Sequence, residues 1–100
     1  MGPYKKKSGG QTYLGQCKDR KRHGFGVMVW TNGNLYVGQW EKGKRKGIGF
    51  YRWSNGDTYN GFWEADKMHG KGLLRWRASG ETYNGEWRNG VKEGKGVQKK

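Results

Sequence analysis

Residues 36–58, YVGQWEKGKRKGIGFYRWSNGDT, decide the fold, because nearly the same words return 23 residues later and stand again on either side. Tyr13, Tyr36, Tyr59 and Tyr83 each open the pattern Y-x-G-x-(W/C), completed by Gly15 and Cys17, Gly38 and Trp40, Gly61 and Trp63, Gly85 and Trp87. Eleven residues after each tyrosine comes a G-x-G, at Gly24/Gly26, Gly47/Gly49, Gly70/Gly72 and Gly94/Gly96. Trp30, Trp53 and Trp76 follow at a fixed distance, and a turn glycine (Gly10, Gly33, Gly56, Gly80) precedes every tyrosine. A period this short means one small supersecondary unit stacked several times, each burying its neighbour's face.

Each unit reads as two short strands. QTYLGQC, NLYVGQW, DTYNGFW and ETYNGEW alternate with period two, and twenty glycines with β-branched and aromatic neighbours argue against helix. The second strands are FGVMVW, IGFYRW, KGLLRW and a shorter KGVQ. Asn32-Gly33 and Asn55-Gly56 mark hairpins between units, with a type I turn followed by a left-handed glycine as the fitting geometry. The charged segments inside units, DRKRH, EKGKRK, EADKMH and RNGVKE, read as longer loops. The fold class is therefore all-β, a single-layer antiparallel meander or solenoid of about four 23-residue hairpin repeats, eight strands spanning roughly 38 Å at about 4.8 Å per step. Alternation puts Tyr36, Gly38 and Trp40 on one face with Gly47, Gly49, Tyr51 and Trp53, and predicts a tryptophan ring lying over a neighbouring glycine. RWRASGETY is one residue longer than RWSNGDTY, which predicts a bulge near Arg77–Ser79 to hold Tyr83 on the aromatic face.

Composition narrows the function. With 31% hydrophobic residues in a chain of 100, a thick core is excluded, whereas 15% aromatics suffice to cover a sheet with flat rings. One cysteine, Cys17, makes no internal disulfide and reads as a small core residue in a tryptophan slot, with a reducing compartment as the default. No apolar run approaches the roughly 20 residues of a membrane-spanning helix, and no signal-peptide core follows Met1. Gly2 invites N-myristoylation, but Lys6 stands where that signal needs Ser or Thr. HGFG and KGIG resemble phosphate loops only superficially, since no helix follows them. His23 and His69 share a slot that Lys46 and Glu93 fill elsewhere, so nothing there demands an imidazole. The sequence offers no catalytic constellation, no cofactor motif and no metal-ligand spacing.

Two features point to partners. The aromatic row Tyr36, Trp40, Tyr59, Trp63, Tyr83 and Trp87 is expected to present rings to a protein partner as well as to one another. Twenty-one Lys and Arg against eight Asp and Glu give a net charge of +13. The excess gathers at Arg20, Lys21, Arg22, Lys42, Lys44, Arg45, Lys46, Lys67, Lys71, Arg88 and Lys92, expected to form a ridge along one sheet edge, with Lys5, Lys6, Lys7, Lys99 and Lys100 extending it. An anionic partner follows, either an acidic protein surface or an anionic lipid; nucleic acid would bind only nonspecifically, and oligomerisation is left open.

The spelling Y-x-G-x-W-x-x-G-x-x-x-G-x-G resembles the MORN repeat (membrane occupation and recognition nexus), most closely in YVGQWEKGKRKGIG at 36–49 and YNGFWEADKMHGKG at 59–72. Units fall near 13–35, 36–58, 59–82 and 83–98 within an array at 10–98, flanked by 1–9, a basic tail or degenerate half-repeat, and a basic tail at 99–100. The resemblance implies an architecture more than a task, since MORN arrays occur in junctional membrane proteins, plant phosphoinositide kinases, a lysine methyltransferase, and ciliary and parasite cytoskeletal scaffolds. Expected here is a non-enzymatic scaffold that recruits a protein at a membrane-associated or cytoskeletal site in the cytoplasm. The alternatives are a peripheral phosphoinositide or phosphatidic acid module and, because the chain ends partway through a unit, an accessory segment of a larger lipid kinase or methyltransferase.

Overall fold

The computed structural model describes residues 3–100, the stretch 3–8 and Lys95 by their backbone alone. Met1 and Gly2, with the myristoylation signal, and the side chains of Lys5, Lys6 and Lys7 lie outside the described residues. Nine strands form one antiparallel sheet in strict meander order: β1 (Pro3–Ser8), β2 (Gln11–Lys18), β3 (Lys21–Val29), β4 (Leu35–Glu41), β5 (Lys44–Arg52), β6 (Thr58–Glu64), β7 (Lys67–Arg75), β8 (Thr82–Arg88) and β9 (Val91–Lys99). The ninth strand, beyond the eight the repeat predicts, is β1, which pairs with β2 from Pro3↔Gln16 to Ser8↔Gln11.

The two kinds of connection reverse the expected lengths. Inside units the strands run on until only two residues remain, and both have positive φ: Asp19 and Arg20 (51° and 62°), Lys42 and Gly43 (50° and 83°), Ala65 and Asp66 (48° and 72°), Asn89 and Gly90 (50° and 83°). This is the type I′ hairpin, whose twist matches that of the strands it joins. Between units the loops are longer. The Gly33 N–H donates to Trp30 O and the Trp30 N–H to Asn34 O, both at 2.9 Å, with Gly33 at φ 95°, which is the type I turn plus left-handed glycine. The extra residue of the third unit widens its turn instead of bulging a strand. There the Gly80 N–H reaches Trp76 O and the Trp76 N–H reaches Glu81 O, and Tyr83 still faces inward opposite Leu74.

The G-x-G pairs do two different jobs. Within a unit the ladder is interrupted: between Gly38↔Gly49 and Trp40↔Arg45, β4 has one residue and β5 has three. The first glycine, Gly47, takes φ 82° to turn this bulge, as Gly24 does at 83° and Gly70 at 78°. The second glycine clears space for a ring. A Cβ on Gly49 would overlap the Tyr36 hydroxyl and ring, and the pairs Gly26/Tyr13, Gly72/Tyr59 and Gly96/Tyr83 repeat this. The ring over glycine is thus a tyrosine, not the tryptophan expected, because the bulge displaces the tryptophan toward the turn. Each tyrosine O–H then donates to the carbonyl that the bulge frees from the ladder: Tyr13 to Gln16 O at 2.6 Å, Tyr36 to Gln39 O at 2.8 Å, Tyr59 to Phe62 O at 2.9 Å. In the first two units a glutamine completes the repair, Gln16 Oε1 accepting from the Phe25 N–H and Gln39 Oε1 from the Ile48 N–H, each at 2.8 Å.

Candidate interaction surface

The sheet has one ring-filled face and one open face. On the first, Tyr36, Trp40, Tyr59, Trp63, Tyr83 and Trp87 are none of them more than 6% exposed. Each tryptophan is wedged edge-on between two tyrosines: Trp63 meets Tyr59 at 5.2 Å and Tyr36 of the preceding unit at 5.6 Å, with interplanar angles of 85° and 89°. Its Nε1–H donates to Gly49 O at 3.2 Å, as Trp40 donates to Gly26 O. Burial pushes the Tyr36 hydroxyl well above its usual pKa and lifts that of Tyr59 to about 12. The six rings expected to receive a partner are therefore the core, and their faces are taken. What this side still offers is the row Trp30, Trp53 and Trp76, half-buried against the core edge, Trp53 at 4.7 Å from Tyr51 and Trp30 at 5.5 Å from the same ring.

The basic residues do not form one ridge. Arg22 and Arg45 fold inward over rings, Arg22 at 4.8 Å from the Trp40 centroid and Arg45 at 4.6 Å from Trp63 and 5.1 Å from Tyr51. The spacing carried this signal, since Arg22 and Arg45 each stand four residues before a glycine that lies under a tyrosine ring, Gly26 and Gly49. Lys92 takes the same slot and sits 4.9 Å from Trp76. Lys46 is held between Glu41 at 2.8 Å and Glu64 at 3.7 Å, and its hydrogen bond to Glu41 lowers that carboxyl's pKa and raises its own. Arg88 pairs with Glu93 at 3.4 Å. Lys71 lies in mid-strand opposite Glu86 on the open face. Arg20, Lys21, Lys42, Lys44 and Lys67 remain as exposed cations at the two-residue turns.

The open face was overlooked in the sequence, although the residues between the aromatics spell it out. Leu14, Val27, Val37, Phe50, Asn60, Leu73, Asn84 and Val97 stand directly opposite one another across successive strands. A second row pairs Ile48 with Phe62. Phe25, Ile48, Leu14 and Phe62 are 56%, 55%, 52% and 45% exposed, a contiguous apolar surface of the kind that marks an interaction site. Along its border Arg52, Arg75 and Arg77 line an open depression of about 500 Å³ with Gly56, Thr58 and Gly80. No carboxylate pairs with these arginines among the described residues.

The geometry and the spelling of the repeat meet in one comparison. The MORN repeat matches four consecutive stretches, residues 13–35, 36–58, 59–80 and 83–99. The chain belongs to the MORN-repeat family. MORN repeats indicate an interaction module, often membrane-associated and generally not catalytic. A search of curated proteins returns no match. Among the described residues of this MORN array no helix is long and apolar enough to cross a membrane, and no three His, Cys, Asp or Glu side chains converge as metal ligands.

Proposed function

We propose that this MORN array is a non-enzymatic interaction scaffold that binds an acidic segment of a protein partner on its ring-filled face. The observation that carries this is the half-exposed row Trp30, Trp53 and Trp76, with the Arg45 guanidinium 5.7 Å from the Trp30 ring and the Lys92 ammonium 4.9 Å from that of Trp76. Tryptophan and arginine are the residue types that dominate binding hot spots, and equivalent rings lie two strand steps, about 10 Å, apart. Net charge of +13 selects acidic partners and disfavours a second copy of the same chain. A second reading, adhesion to anionic lipid, is favoured by the open face, where exposed Phe25, Ile48 and Phe62 lie near the Arg52, Arg75 and Arg77 depression. The two readings use opposite faces.

The test is photo-crosslinking from position 53 in cells, with the captured protein identified by mass spectrometry. The purified pair and phosphatidylserine vesicles are then assayed at physiological salt with Trp53→Ala and with Arg52/Arg75/Arg77→Gln. The scaffold reading expects Trp53→Ala to lose the partner and the triple variant to keep it. Vesicle binding that persists at that salt and vanishes only in the triple variant, with no partner contact at position 53, reverses the order of the two readings.

A further inference from the structure

The repeat places one side chain per unit opposite the tryptophan slot of that unit, and these are Arg22, Arg45, Met68 and Lys92, of which Arg22 and Arg45 lie over the next unit's tryptophan, Trp40 and Trp63. Arg45 is fully engaged there by the following turn. Its Nε donates to Asp66 Oδ1 at 3.0 Å, its backbone N–H to the same oxygen at 2.9 Å, and its Nη2 to Asp66 O at 2.8 Å. Arg22 makes only the last of these three side-chain and backbone contacts to its own following turn, Nη2 to Gly43 O at 2.9 Å, because Gly43 occupies the place of Asp66 and brings no carboxylate. The Arg22 Nε is buried and meets no acceptor. No other acid of the chain compensates: the four ion pairs of the described residues use Glu41, Glu64, Asp66 and Glu93, and none involves Arg22, while residues 1–8 contain neither Asp nor Glu.

We propose that Arg22 is a carboxylate-binding position, which takes a Glu or Asp side chain of the acidic partner segment in the place that Asp66 fills on Arg45. This rests on the scaffold reading above and names its anchoring contact. Space for the group exists, since a Cβ built on Gly43 meets nothing within 4 Å. The Asp66 side chain in the equivalent position keeps 43% of its exposure while one oxygen accepts from Arg45 Nε, so a carboxylate entering beside Gly43 reaches the buried Arg22 Nε from the solvent side. The guanidinium is already oriented, held by stacking on Trp40 at 4.8 Å and by the Gly43 carbonyl, so little freedom is lost when an oxygen arrives. Exposed Lys21, Lys42 and Lys44 around it draw an anion in. A carboxylate matches better than a larger anion, since the sister position shows a carboxylate oxygen received by Nε from beside a two-residue turn.

The chain itself supplies the test, a substitution that fills the site from within. Gly43→Asp places a carboxylate where Asp66 has one, at a turn position whose φ of 83° lies close to the 72° that Asp66 adopts. The probe is a fluorescein-labelled peptide of alternating glutamate and leucine, titrated at physiological salt by anisotropy and by the Arg22 Nε–H signal in ¹⁵N NMR. Gly43→Asp and Arg22→Met, the latter placing the residue found at position 68, are expected to weaken binding by about tenfold or more. Lys42→Gln, which lowers the net charge by one as Gly43→Asp does, is expected to weaken it by less than about fivefold. The Arg22 Nε–H signal is expected to move with peptide in the wild type, and in Gly43→Asp to start displaced and stay there, with thermal stability equal or higher. Equal losses in Gly43→Asp and Lys42→Gln would mean a delocalised charge effect and overturn the proposal, as would a wild-type Arg22 signal that stays still at millimolar peptide or that moves only with inorganic phosphate. Trp53→Ala separates the two levels. Weakened binding in Trp53→Ala with undiminished binding in Gly43→Asp leaves the scaffold standing and removes Arg22 from it, while undiminished binding in both removes both.

Discussion

At the scale of single residues, the array depends on four tyrosines that each cross a glycine and close a bulge. A methyl at Gly49 has to displace the Tyr36 ring, which is fully buried and bonded to Gln39 O. Gly49→Ala is therefore expected to cost about 1–3 kcal/mol by overpacking, read from the urea midpoint, and an unchanged midpoint would remove the ring-over-glycine contact from the account of stability. The same hydroxyls make the fold sensitive to alkali. An unfolded tyrosine loses its proton near the usual value of 10, whereas folded Tyr59 keeps it to about 12 and Tyr36 is shifted upward as well, burial being the first cause in both. Between those values the folded chain binds more protons than the unfolded one, so stability is fully present below pH 10 and is lost as pH rises toward 12. The slope reaches about 1.4 kcal/mol per pH unit for each such tyrosine. Urea titrations from neutral pH upward are expected to show that fall, and to show it flattened in Tyr59→Phe.

At the scale of elements, turn chemistry was the part of the sequence hardest to read, and the reason is visible in Ala65. Type I′ turns favour Asn, Asp and Gly at both central positions. Asn89-Gly90 satisfies that rule, but Arg20, Lys42 and Ala65 adopt positive φ without it, so charged turns of two residues looked like longer loops. What holds them is the neighbouring unit: the Gly43 N–H donates to Arg22 O at 2.8 Å, the Asp66 N–H to Arg45 O at 3.1 Å and the Gly90 N–H to Met68 O at 2.9 Å. Stacking thus overrides local propensity, and that override is invisible in any single unit. Strands, by contrast, were legible from β2 onward, since alternation is a local property. The ring that covers each glycine was not, because the bulge that shifts Trp40 against Arg45 belongs to the pairing of two strands. It follows that Ala65 carries strain that a better turn residue relieves. Ala65→Asn, with Asn89 at the equivalent position and φ of 50° against 48°, is expected to raise stability by about 0.5–1 kcal/mol, measured by thermal unfolding.

At the scale of the molecule, the sheet is 40 × 24 × 17 Å, and strands pack chiefly on the strands before and after them. Stability in such an array is a sum of units and of the interfaces between them, so a residue matters by the number of interfaces it joins. Trp63 joins two units: it packs on Tyr36 and Tyr51 of one and Tyr59 of the other, donates to Gly49 O, and lies under Arg45. Cys17 holds the same slot in the first unit with a small side chain that is only partly buried. Truncation at these two places therefore differs in kind, although both change one residue in one repeat. Trp63→Ala removes a buried ring, leaves the Gly49 carbonyl without its indole partner and deprives Arg45 of the surface it stacks on, a combined loss expected to reach about 3–5 kcal/mol. Against the total stability of a chain this size that is enough to unfold much of the population at room temperature. Cys17→Ala removes one sulfur at an array end and is expected to cost under about 1 kcal/mol. Circular dichroism melts of the two variants beside the wild type make the comparison. Equal shifts in melting temperature would mean that the interfaces are not what holds the array together, and the stacked account of this fold would have to be given up.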